Sequence, residues 1–182
     1  GSRVSGSLVF DLQVLPDLPN IGTVDGTYMA ASASFILEHN HQAAPQDPFV
    51  LDDGGDGSAG IIRRIAIDDN VRRFRRDLNK ATEAGAEAIG LLTVMHVLGR
   101  RVVNRTPTET GADFLIEPID PDSTIEFERV EFGGIGDGSE TTRARLNRKV
   151  RQMLRYPDEP PGHAVVTNFT TMPIEVAMRR VS

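Results

Sequence analysis

The chain contains no cysteine and no tryptophan, and only 5% of its residues are aromatic. Without cysteine there is no disulfide scaffold, no thiolate nucleophile and no cysteine-ligated zinc; such a chain suits a reducing compartment, and the cytoplasm is the expected location. No apolar run approaches the roughly 18 residues that a membrane helix needs, so no membrane partner is expected. Gly-x-Ser-x-Gly and His-Glu-x-x-His are both missing, which leaves serine-hydrolase and zincin mechanisms without a starting point. A calcium loop beginning at Asp52 would need glutamate at its twelfth position, where Arg63 stands. The net charge of -6 argues against a nucleic-acid binder held by bulk charge but permits a local basic surface.

What is present suits one domain. With 182 residues, 39% apolar and 25% charged, the chain can bury roughly 70% of the surface exposed when unfolded. Residues 1–7, Gly-Ser-Arg-Val-Ser-Gly-Ser, read as an expression scar and 8–182 as the domain. The turn cluster Asp52-Asp53-Gly54-Gly55-Asp56-Gly57-Ser58 sets off an N-terminal third. Before it, Leu8, Phe10, Leu12 and Val14 alternate as in a strand, and 28–40 has helical spacing. After it, Ile61, Arg63, Ile65 and Ile67 alternate. One long helix is then predicted from Asp68 or Asp69 to about Gly99. Strands are predicted at 101–106, 112–117 and 124–132 as an antiparallel meander. A helix follows from the cap Ser139 to about Tyr156, then strands at 163–170 and 174–178. The expected class is α/β, a mixed sheet flanked by helices.

Three groups of residues carry chemistry. Glu83 and Glu87 lie one turn apart on an otherwise apolar or small-residue helix, where buried carboxylates need a metal, a base or solvent. Asp113 and Glu131 are framed by apolar neighbours on adjacent predicted strands; hard oxygen ligands of this kind suit Mg²⁺ or Mn²⁺. Their joint pattern predicts that Asp113, Glu131 and one of the helix glutamates converge on one ion. Arg145, Lys149, Gln152 and Tyr156 form a polar stripe beside the apolar stripe Leu146, Val150 and Met153. From Ser139 to Tyr156 six basic residues face the single acid Glu140, a pattern fitting phosphate contact and equally a solvated face. Arg72, Arg73, Arg75 and Arg76 invite the same two readings. His39 and His41 are too few for zinc, and His96 is expected as a hydrogen-bonded core residue.

The order helix, three strands, helix, strand, with Glu83, Asp113 and Glu131 at these places, resembles the core of the PD-(D/E)XK nucleases across residues 69–171. The resemblance implies a restriction-endonuclease-like core with 8–68 as an N-terminal elaboration and 172–182 as a terminal strand. It implies Asp113 and Glu131 as ligands of Mg²⁺ or Mn²⁺, with Glu83 assisting. Gln152-Met153-Leu154-Arg155-Tyr156 resembles the Q-x-x-x-Y signature of the exonuclease branch, which implies that Arg145, Gln152 and Tyr156 face nucleic acid, DNA or RNA. Tyr28-Met29-Ala30-Ala31, the stretch from Lys80 to Glu87, Thr110-Gly111-Ala112-Asp113 and Glu131-Phe132-Gly133-Gly134-Ile135 resemble a bacterial family within that superfamily. The motif lysine two residues after Glu131 is replaced by Gly133, and Lys149 is the candidate substitute. The expected function is a metal-dependent nucleic-acid phosphodiesterase, weak or inactive because of Gly133. The alternative is a noncatalytic nuclease-like module that binds nucleic acid or a protein partner. A third reading is a small-ligand site at the glycine-rich turn 133–138.

Overall fold

The structure, a computed structural model, describes residues 7–106 and 113–182. Residues 1–6 of the expected scar, Thr110-Gly111-Ala112 and the expected strand start at 112 lie outside the described residues.

Eight strands form one mixed sheet: β1 (Leu8–Asp11), β2 (Gln46–Asp52), β3 (Ser58–Arg63), β4 (Arg100–Arg105), β5 (Phe114–Pro118), β6 (Glu128–Ile135), β7 (Gly162–Asn168) and β8 (Ile174–Val181). Their order is β1-β3-β2-β8-β7-β6-β5-β4. β4, β5 and β6 make the expected antiparallel meander, whereas β6 and β7 run parallel. Parallel neighbours need a long crossover, and the helix α4 (Thr142–Leu154) supplies it. The helices α1 (Thr23–His41) and α3 (Leu78–Leu98) cover the other face. Alternation along the strands sorts the core between the two faces. Val130, Phe132 and Val165 pack under α1 and α3, while Ile135, Ala164 and Val166 pack with Leu146 and Met153 of α4. The strands of the first third belong to the same sheet, because β2 pairs in parallel with β8.

Several elements differ from the sequence expectation for identifiable reasons. The long helix is two, α2 (Asp69–Phe74) and α3. Asp77 separates them by accepting from the backbone N–H groups of Asn79 and Lys80, an N-cap that restarts the helix. The first strand stops at Asp11 because Leu12–Asp17 turns into a 3-10 helix containing Pro16. β2 went unpredicted because Pro48 reads as a strand breaker. Its inward side chains are Asp47, Phe49 and Leu51, and Asp47 is neutralised by a buried bidentate pair with Arg64 at 2.6 and 2.7 Å. The third strand of the meander starts at Glu128 and runs on to Ile135. The last helix is capped by Thr141 rather than Ser139 and ends at Leu154, so Tyr156 lies beyond it. His96 is not a core residue; its ring stacks on Phe10 at 5.7 Å while its edge is exposed.

α3 sits unusually close to β6. A Cβ at Gly134 would stand 2.8 Å from the Ala86 Cβ, one at Gly136 would strike the Thr82 hydroxyl, and one at Gly90 would enter the Phe132 ring. In most helix interiors Gly→Ala is stabilising by about 1 kcal/mol. Here the sign reverses: Gly90→Ala is expected to destabilise the protein by about 1–3 kcal/mol in urea denaturation, because the methyl group has no space.

Candidate active site

Among the described residues β5 pairs with Glu128 to Val130 of β6, and β7 accompanies β6 to Ile135. Both α3 and α4 flank residues 131–135. The resulting cleft, about 330 Å³, is walled by Asn79, Thr82, Glu83 and Glu87 of α3, by Asp113 and residues 131–135, and by Arg145 and Lys149 of α4.

Asp113 precedes β5. Continuing the register of Phe114 opposite Val130 sets it across from Glu131, where like charges face each other at close range. Its backbone N–H donates to the Val130 carbonyl, and its Oδ2 accepts from the Phe132 N–H at 2.8 Å. Burial, with the Glu131 charge added, pushes the Asp113 carboxyl up to about 7, against the opposing Phe132 hydrogen bond. Glu131 points toward α4. Its side chain is 5% exposed, and its Oε1 accepts from Lys149 Nζ at 2.8 Å and from Gln152 Nε2 at 3.2 Å. Burial nevertheless raises the Glu131 carboxyl, because Lys149 and Gln152 offset only part of the desolvation.

Lys149 comes from the helix rather than from the strand, and it lies over Gly133. A Cβ built there would be 3.0 Å from Lys149 Cε and 3.4 Å from its Cγ. The α4 lysine thus fills the space above the strand position that lacks a side chain.

The structure brings together Glu83, Glu87, Asp113, Glu131, Lys149 and Arg145 around one cleft. It does not make a three-carboxylate shell: among the described residues no three His, Cys, Asp or Glu side chains are grouped to hold a metal. Glu87 is instead gripped by Arg105 in a bidentate pair at 2.9 and 3.0 Å, and Glu83 stands exposed at the rim. Asp113 and Glu131 remain as the carboxylates able to take a divalent ion. Gln152 bonds Glu131 instead of facing solvent. Tyr156 lies two residues past the end of α4, its backbone N–H donating to the Met153 carbonyl. Of the α2 arginines, Arg72 is paired with Glu38 and Asp69, and Arg75 lies over Tyr28 at 4.2 Å. Two contributors were missed from sequence. Arg105 is 18 residues from Glu87 on another element, and Glu140 precedes the helix whose arginines it meets. Their only signal was opposite charge, which sequence cannot pair across elements.

No family model, curated protein or solved structure matches the chain.

The Asp113 shift fixes a pH dependence. Its folded pKa of about 7 lies above the unfolded value of 3.8, so the native state binds the extra proton and stability falls as pH rises between them. Asp113→Asn keeps the acceptor for Phe132 and removes the charge. It is expected to be more stable than wild type at pH 8, on the order of 2 kcal/mol by urea denaturation, with the gap narrowing at pH 5. A gap independent of pH would contradict this account.

Proposed function

We propose that the cleft is a metal-dependent phosphodiesterase site of PD-(D/E)XK type acting on nucleic acid. Asp113 and Glu131 would hold Mg²⁺ or Mn²⁺, and Lys149 would serve in place of the motif lysine. The observation that carries this reading is the Lys149 side chain lying across Gly133 with its ammonium 2.8 Å from Glu131. The element order α3-β4-β5-β6-α4-β7 supports a restriction-endonuclease-like core.

The donors suit a hard cation. Mg²⁺ keeps several waters and takes one or two protein carboxylates together with substrate phosphates, so two crowded buried carboxylates match its habit better than a closed protein cage would. Such an ion, when bound, acidifies water and polarises a phosphoryl oxygen. Asp113 is fixed by the Phe132 N–H and Glu131 by Gln152, so both ligands are oriented before substrate arrives. Lys149 supplies positive charge where negative charge grows on the phosphoryl oxygens, and it orients the attacking water. Arg145 at the cleft wall contacts the phosphate backbone.

One observation favours the noncatalytic module as second reading: Glu87 is already held by Arg105 in a bidentate pair and is not free to assist a metal. Nicking of supercoiled plasmid and degradation of single-stranded DNA and RNA with Mg²⁺ or Mn²⁺ separate the two. Wild type is expected to cleave, Asp113→Ala to lose both Mn²⁺ binding in calorimetry and cleavage, and Lys149→Ala to lose about 10²–10⁴-fold in rate while still binding Mn²⁺. Activity unchanged in Asp113→Ala would place the chemistry elsewhere, and nucleic-acid binding without cleavage in wild type would favour the module.

The lysine exchange has its own test. Gly133 has extended strand backbone without a positive φ, so its conformation accepts a side chain, but Lys149 and Val166 crowd the position. Gly133→Lys alone is expected to destabilise the protein. The pair Gly133→Lys with Lys149→Ala is expected to recover part of the rate lost in Lys149→Ala, read in the same nicking assay.

A further inference from the structure

Glu140 stands in the segment between β6 and α4, and its carboxylate is shared by two arginines of α4. Oε2 accepts from Arg145 Nε at 3.0 Å and Nη2 at 2.8 Å, and Oε1 lies 2.8 Å from Arg148 Nη2. Arg145 and Arg148 are three residues apart and point the same way. Two guanidinium groups converging on one point repel each other unless an anion sits between them. Their fork-like donors match carboxylate and phosphate oxygens alike.

We propose that Arg145 and Arg148 form a phosphoryl-anion site that Glu140 fills in the free protein, so that an incoming phosphodiester group must displace the Glu140 carboxylate. Three observations meet here. Arg145 also lines the carboxylate cleft, so one of the two arginines is shared between the Glu140 contact and that cleft. The side chains of Glu140, Arg145 and Arg148 are 27%, 26% and 55% exposed, so the contact is reachable from solvent. The segment that carries Glu140 contains Gly138 at φ +80°, a backbone conformation through which residues 137–141 can change course without side-chain strain. Pairs this exposed contribute little net stability, so exchange of one anion for another is inexpensive. Glu140 therefore acts as a resident phosphate mimic that occupies the donors of Arg145 and Arg148 until substrate arrives.

The proposal rests on the phosphodiester reading of the cleft for the identity of the ligand, and its test does not use cleavage. Binding of a short labelled single strand of DNA, without divalent metal, is followed by fluorescence anisotropy. Glu140→Gln is expected to bind about fivefold more tightly than wild type. Asp158→Asn, which removes an exposed charge beyond α4 and outside the cleft, is expected to change affinity less than about twofold. Adding Arg148→Ala to Glu140→Gln should return affinity to the wild-type value or below. Equal gains in Glu140→Gln and Asp158→Asn would overturn the proposal, as would no gain in the first. If Glu140→Gln unsettles the start of α4, inorganic phosphate read by thermal shift on folded protein decides instead. Wild type must then be stabilised more than Arg148→Ala, and equal shifts overturn the proposal. A protein that binds as stated yet never cleaves overturns the nuclease reading alone, whereas one that cleaves with unaltered affinities overturns the displacement alone.

Discussion

The molecule depends on the direct seating of α3 on β6. With glycine at 90, 134 and 136, the helix descends onto the strand until Ala86 and Thr82 take the room that side chains would have used. Close-packed interiors tolerate no such approach with larger residues. The consequence for chemistry is positional. A helix at ordinary separation would hold Glu83 and Glu87 farther from Asp113 and Glu131. α4 closes the other side, and its polar stripe bends over the strand because Leu146 and Met153 anchor its apolar stripe in the second core cluster.

Two glutamates of β6 show how one residue type acquires opposite character. Glu128 begins the strand, buried, and accepts from Arg100 of β4 and Arg180 of β8, with His163 of β7 at 3.1 Å. Burial raises its carboxyl, but the neighbouring Arg100 and His163 outweigh that and hold it below the usual carboxylate range. It is a clamp across four strands. Three residues on, Glu131 meets one lysine and an opposing aspartate, and burial prevails. The first carboxylate is outnumbered by its cations, whereas the two acids of the second share a single lysine.

Much of this was legible in the sequence where periodicity was strong. The alternations around Ile116, Val130 and Val165 and the spacing in α3 and α4 gave the order helix, three strands, helix, strand, and the candidate acids followed from it. The nearness of Lys149 to Gly133 was legible only through the resemblance, since nothing in its own stretch of sequence points to that strand. What escaped were decisions made by single polar side chains in tertiary context. Asp77 restarts a helix just after a run of arginines, in a stretch that otherwise reads as one continuous helix. Asp47 looks like a surface residue until Arg64 is folded onto it. Gln152 sits on a stripe that suits solvent and bonds Glu131 instead. Tyr156 has the right spacing for that stripe, yet the backbone leaves the helix before it.

The position of β8 bears on how the chain reaches this fold. It is the last strand in sequence order, yet it lies inside the sheet, parallel to β2 on one side and antiparallel to β7 on the other. During vectorial synthesis the set β1-β3-β2 and the set β7-β6-β5-β4 emerge first, and neither can join the other until residues 174–181 leave the ribosome. Each set meanwhile presents an unpaired inner edge with apolar neighbours, the kind of surface that recruits chaperones or pairs with the wrong chain. Closure then links residues more than 120 positions apart, such as Phe49 with Ile174, so the final step carries a large loop-closure entropy and the protein belongs among slow-folding, high-contact-order topologies.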